Sequence, residues 1–295
     1  MVRSGLVVVV LAALSASSWA ADAVPVRCGD KTIFTYMQGP APFKSYVQSL
    51  YTPSGVNVIR DHVADHIHHH GLMFALTVND TDFWSEIDKC GREVSTSFKT
   101  RDDGVAEMLD WTAPDGKVVL KERRSVRAAL PKPDGPAVVT WKMKLEAPEG
   151  APAKLTGSHY AGLGMRFQES MDKIGDFFNS SGQPGEIVRG EEHNVPANWC
   201  AYTAPCEGKP VTVALFSDPT NLRHPTMFFT MPVGFAYQSA TLNVYREPLT
   251  IEPGKPLALR YGVALWDGKV GADQVEAAYK EWVAARKPAK EEASK

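Results

Sequence analysis

The 295-residue sequence lacks most of the local signatures that announce an enzyme class. It has no Gly-x-Ser-x-Gly elbow, no phosphate loop of the Gly-x-x-x-x-Gly-Lys type, no Gly-x-Gly-x-x-Gly turn and no His-Glu-x-x-His. These absences set aside the common serine hydrolases, P-loop NTPases, dinucleotide-binding folds and zincin metalloproteases. Nor is there a Cys-x-x-Cys pair, which argues against a thiolate zinc site. An excess of one charge is missing too. Lys and Arg total 32 against 34 Asp and Glu, a formal net charge of −2. Without a basic stripe, nucleic acid is not the expected partner. Past residue 14 no apolar run is long enough to span a bilayer, so no membrane span is expected.

The N-terminus does carry a short apolar run, Leu6 to Leu14, behind Arg3. It leads to Ser18-Trp19-Ala20, a small-x-small pattern. This order predicts a secretory signal over residues 1–20, cleavage after Ala20, and a periplasmic or secreted protein. In that compartment the four cysteines are expected to form disulfides. Cys200 and Cys206 flank a turn-like pentapeptide and form the first expected pair, which leaves Cys28 and Cys90 as the second.

Strand signals recur between Gly- and Pro-rich turns. Val139, Trp141, Met143 and Leu145 alternate with polar residues, as do Leu257, Leu259, Tyr261, Val263 and Leu265. Val118 to Leu130 precedes the first of these across Pro131 to Pro136, which predicts a hairpin. Val211 to Phe216 is expected to be a short buried strand. Helical spacing occurs over Val275, Ala278, Tyr279, Trp282 and Val283, with Asp273 as the expected cap. The pattern predicts an all-β fold: a large antiparallel β-sandwich with one C-terminal α-helix. A single domain is expected over 21–286, followed by a disordered tail, 287–295.

The densest polar stretch runs from Arg60 to Gly71. Five of the eight histidines fall between His62 and His70. If extended, the run would place His66, His68 and His70 on one face and Ile67 and His69 on the other. Clustered imidazoles resist protonation together and tend toward neutrality. Three uses remain open: proton transfer or hydroxyl binding, a metal site with zinc, copper or iron on His66, His68 and His70, or a solvated loop. Asp82-Phe83-Trp84 follows; Trp84 suits stacking on a sugar ring, whereas Phe83 suits the core. A second cluster comprises Trp199 and the loop Asp218 to Thr226, with Asp218, Asn221, Arg223 and His224 just after a strand. Asp218 and Asn221 also suit ordinary turn chemistry, and Arg223 a surface ion pair. The third is Ser158 to Phe167, where His159 and Arg166 share a face only if Gly162 or Gly164 resets the register.

Taken in order, Asp65-His66-Ile67-His68-His69-His70-Gly71-Leu72, Asp82-Phe83-Trp84, Trp199-Cys200-Ala201-Tyr202 and Asp218-Pro219-Thr220-Asn221-Leu222-Arg223-His224-Pro225-Thr226 resemble the bacterial exported PmoA family, which carries the label methane oxygenase. The resemblance covers about Cys28 to Trp266. Ile67 stands where that family usually shows proline, and Cys206 looks like a local addition. The methane monooxygenase subunit of that name is a multi-helix membrane protein, and this chain lacks such spans, so the oxygenase activity is not carried over. The long antiparallel pattern is also similar to the supersandwich of galactose mutarotases, a fold analogy.

These features converge on a carbohydrate-active protein that binds a small molecule or glycan without a cofactor. The expected catalytic groups are His66, His69, Asp218 and His224. The expected substrate-binding groups are Arg60, Trp84, His159, Arg166, Trp199 and Arg223. A His-ligated metalloenzyme and a non-catalytic glycan-binding module are the alternatives. The shared requirement is that the histidine run and the Asp218 loop meet in one pocket.

Overall fold

The computed structural model describes residues 23–38, 43–129 and 135–286. The expected leader with its cleavage point and the tail 287–295 lie outside these residues. Two large antiparallel sheets and a small one account for most of the described chain. The nine-stranded sheet runs Ala23–Cys28, Lys31–Met37, Tyr46–Leu50, Leu72–Ala75, Gly162–Arg166, Tyr237–Thr241, Thr226–Met231, Glu192–Ala197 and Glu186–Arg189. The eight-stranded sheet runs Asp176–Asn179, Trp199–Cys206, Lys209–Ser217, Leu257–Asp267, Ala137–Glu146, Val118–Ala129, Gly104–Thr112 and Arg92–Arg101. Leu249–Ile251, Ala153–Thr156, Thr77–Val78 and Thr81–Asp82 form the four-stranded sheet.

Period-two patterning explains the layering. In Ala137–Glu146 every second residue is buried, including Val139, Trp141, Met143 and Leu145. These residues join Val126, Leu120, Val213 and Leu265 with Phe34, Val47, Phe74, Leu163 and Phe228 of the other large sheet in one core. The two sheets therefore pack as a sandwich, as the sequence predicts. The expected hairpin is present: Val138 pairs with Ala129 and Leu145 with Glu122. Strands also form at Lys209–Ser217 and Leu257–Asp267, where they were expected.

The single α-helix among the described residues, Ala272–Ala284, lies on the outer face of the eight-stranded sheet. Val275, Tyr279 and Trp282 pack on Trp199, Phe216 and Ala264. Its N-cap is Gly271 rather than Asp273; the Gly271 N–H donates to Gln274 Oε1, and Asp273 sits in the first turn. There it favours the positive end of the helix dipole.

The expected disulfides are corrected by the structure. All four cysteines are free thiols and buried. Residues 200–206 are not a turn but one continuous strand, paired with Lys209–Ser217 from Trp199↔Phe216 to Cys206↔Lys209. Six residues of strand separate two Cα atoms by about 20 Å, far beyond disulfide reach. The turn falls one step later, at Glu207 and Gly208, both with positive φ, as a two-residue hairpin demands. Cys90 is likewise not joined to Cys28; its thiol donates to Asp82 at 3.7 Å.

Candidate functional site

The outer face of the nine-stranded sheet gathers the histidine run. Residues 62–70 are not extended, which corrects the expected alternation of faces. Two tight turns fold them instead: the His66 N–H donates to Val63 O and the His69 N–H to His66 O. The run then enters the strand Leu72–Ala75 through Gly71. A Cβ at Gly71 would collide with the Val47 and Gln48 carbonyls and with Ile59, so the chain can cross there only as glycine.

His70 and His69 leave this turn in different directions. The His70 ring is buried and bonded at both nitrogens, Nδ1 to Asp61 at 2.7 Å and Nε2 to Glu86 at 2.8 Å. Two carboxylate partners require a proton on each nitrogen. Burial works against that imidazolium, yet the two hydrogen bonds prevail and raise its pKa. Lys44, equally buried, donates to the same Glu86 oxygen at 2.7 Å and to Trp84 O at 3.0 Å. Burial pushes the Glu86 carboxyl up, but His70 and Lys44 outweigh it and hold it below its ordinary value. Tyr46 stacks on the His70 ring at 4.1 Å, and Tyr46 and Gln48 both donate to Asp61. The result is a chain of alternating charge: the Lys44 ammonium, the Glu86 carboxylate, the His70 imidazolium and the Asp61 carboxylate.

The second branch is electrically opposite. Arg166 donates to Asp65 at 2.7 Å and to His69 Nδ1 at 3.3 Å. A guanidinium can only donate, so neutral His69 carries its proton on Nε2. Burial, together with His68, His66 and Arg166, pushes the His69 pKa down to about 2. Burial and Lys44 also lower that of half-buried His68. Both imidazoles are therefore neutral at pH 7. Burial alone would raise Asp65, but Arg166 and His66 hold it well below the usual carboxylate range.

Aromatic rings wall this branch. His68 and His69 meet Trp84 edge-on at 6.5 and 6.0 Å, and His69 stacks on Tyr237 at 5.6 Å and His66 at 4.7 Å. Phe235 closes the side, with the Arg166 guanidinium over its face at 3.7 Å. Asp82 Oδ1 accepts the Trp84 and Ser85 N–H groups, a turn that seats Trp84 in the cluster with Met73, Phe235 and Tyr237 while Phe83 enters the main core against Trp111. Gly164 makes room for Tyr237, whose phenol occupies the place of the missing Cβ. His159 reaches the same face from a turn before the strand Gly162–Arg166 and pairs with Glu192 at 3.1 Å. No register reset is needed, because His159 lies outside that strand.

Other expected site residues fall elsewhere. Met231↔Tyr237 and Tyr237↔Arg166 place the histidines at one end of their strands. The Asp218 loop enters Thr226, whose strand pairs Met227↔Thr241 beside Gly162↔Thr241, at the opposite end. Asp218 is buried and held by Arg260 at 2.7 Å and Arg286 at 2.8 Å, on the helix-covered side of the other sheet. Trp199 packs under the same helix and donates to Glu276 at 2.7 Å. Arg223 donates to Leu242 O, and His224 precedes a cis proline. Among the described residues, no hydrogen bond, ion pair or ring contact joins any of these to the histidine run. Asp218, Arg223, His224 and Trp199 therefore do not meet the histidine run, which corrects the expected shared pocket. Arg60 pairs with Asp172 beside a polar cavity of about 370 Å³ next to Asp61.

The metal alternative shifts as well. His70 points to Asp61 and Glu86, so it does not converge with His66 and His68. The ligand atoms that lie within 4.8 Å of one another belong to His62, His70 and Glu86. There the charges of Asp61 and Glu86 are already balanced by Lys44 and His70. A divalent cation would have to displace the His70 proton and sit against the Lys44 ammonium. These residues fit the charged relay better than a metal.

Sequence gave no role to Lys44, Asp61, Glu86, Tyr160 or Tyr237. Glu86 stands two residues past Trp84, the nearest available signal. The pairing of Lys44 with it spans 42 positions and leaves none.

No curated protein sequence matches the chain. Several solved structures follow a similar course. They include a putative aldose 1-epimerase from Escherichia coli K12, with 9% identity, TM-score 0.48, and coverage of 84% of this chain and 100% of that one. A galactose mutarotase related enzyme from Lactobacillus acidophilus gives 8% identity and TM-score 0.46, with coverage of 84% and 100%. An α-galactosidase, AgaA from Geobacillus stearothermophilus, gives 12% identity and TM-score 0.47, with coverage of 84% of this chain and 41% of that enzyme. Among the described residues no helix is long and apolar enough to cross a membrane. The sequence match carries no PmoA or oxygenase label: over residues 23–280 the chain belongs to the family described as "Family of unknown function (DUF6807)".

Proposed function

We propose that the outer face of the nine-stranded sheet binds a carbohydrate and acts on it by histidine acid–base chemistry. The observation that carries this is the pair His68 and His69, both neutral and both edge-on to Trp84. Half-buried Tyr160, 4.7 Å from the largely buried Trp84, offers an apolar ring face of the kind that stacks on the C–H face of a sugar. His69 Nε2–H, fixed in its tautomer by Arg166, donates to a ring or hydroxyl oxygen. His68, half-buried and neutral, takes the proton from a hydroxyl or a carbon acid. His66, paired to Asp65 at 3.1 Å, is the group placed to return one. The His70 relay touches no substrate; it holds the turn that presents these three rings.

The test is a panel of mono- and disaccharides incubated with purified protein and followed in the anomeric region of the proton NMR spectrum. Wild type should convert at least one sugar. His68→Gln should slow it by about 100-fold or more, the range for a lost acid–base group, and Trp84→Ala should weaken binding. Conversion unchanged in His68→Gln removes the mechanism. Sugar binding with no conversion by wild type leaves a glycan-binding module.

A further inference from the structure

The aromatic wall does not stop at the histidines. From Trp84 it continues ring by ring, to Tyr160 at 4.7 Å, His159 at 5.1 Å and Tyr245 at 5.8 Å. This strip leads from the Arg166 end of the strands toward the Gly162–Thr241 end, and its last ring is the most open: Tyr245 is 59% exposed. That open ring carries the contiguous aromatic file out to the surface. On the other side of the histidine run lies the polar cavity, lined by Gln48, Asn57, Arg60, Asp61 and Gln168. Arg60 Nε is buried there with no partner. The file from His68 to Tyr245 takes four ring-to-ring steps of 4.7 to 6.5 Å, more ring contacts than one sugar unit makes.

We propose that the ligand of this face is an oligosaccharide of several units, lying over His68 with aromatic subsites out to Tyr245 on one side and a hydrogen-bonding subsite at Asn57 and Arg60 on the other. The inference rests on the carbohydrate reading of the same site. Each further unit gains a ring or polar contact, and one ring contact is worth about a two- to tenfold gain in affinity.

Calorimetry on the full chain with cello-, xylo-, manno- and galacto-oligosaccharides of one to six units tests it. In at least one series affinity should rise about tenfold or more between one unit and four. Tyr245→Ala, at an exposed position, should keep the fold and weaken the hexamer about three- to tenfold. It should leave single-unit binding unchanged. Single sugars that bind as tightly as hexamers, with Tyr245→Ala silent, overturn the inference and leave the proposed function standing. No binding by any member of any series overturns both.

Discussion

Adjacent histidines of one turn hold opposite protonation states, and this gives them opposite links to stability. His70 has a folded pKa raised above its ordinary 6.5. Its contribution is fully present below 6.5 and is lost as pH rises through the folded value. His69 is depressed to about 2, so its contribution is present above 6.5 and is lost as pH falls from there. Urea unfolding at pH 5, 7 and 9 separates them. His70→Gln leaves Asp61 and Glu86 without their cationic bridge and should lose about 3–5 kcal/mol at pH 5, with progressively smaller losses at pH 7 and pH 9. His69→Gln should flatten the acid limb below pH 6.5. A His70→Gln loss independent of pH would mean that the ring is not the imidazolium described. Residue chemistry of this kind was half legible. Clustered imidazoles signalled neutrality, which holds for His68 and His69. It fails for His70, because its carboxylate partners come from a loop 16 residues on and from the turn itself.

Element by element, the period-two strands were read correctly because alternation follows directly from burying one face. The mistakes fell where local pattern gives no direction. Ala201-Tyr202-Thr203-Ala204-Pro205 contains a proline and small residues, yet it is a strand with both neighbours in place, and Pro205 stands near its end opposite Pro210. The run from His66 to Phe74 looked extended but folds into turns before Gly71. Gly164 tests how the sheet shapes the site. Its added methyl would push the Tyr237 phenol aside, and Tyr237 supports His69. Gly164→Ala should cost about 1–3 kcal/mol, the usual range for overpacking, and should weaken sugar binding in the same variant. Loss of stability with unchanged affinity would show that Tyr237 does not set the cleft.

For the whole molecule, the sandwich and its terminal helix were visible in the sequence, whereas the set of residues gathered around the histidine run was not. Asp218, Arg223 and His224 have the residue types of an active centre and a loop position to match. What decides their role is the strand direction that carries the loop to the far end of the sheet, and the helix that covers Asp218 with Arg260 and Arg286. No local pattern encodes either. The central claim is that ligand binds on the His68–Trp84 face and not at the Asp218 loop. Among the seven tryptophans, Trp84 reports on the first place and Trp199, under the same helix as Asp218, on the second. The direct measurement is the indole N–H spectrum of nitrogen-15-labelled protein titrated with the sugar that binds best. The Trp84 signal, assigned by Trp84→Phe, should shift with saturation while the Trp199 signal stays fixed. A saturable shift of Trp199 with Trp84 unmoved would contradict the site.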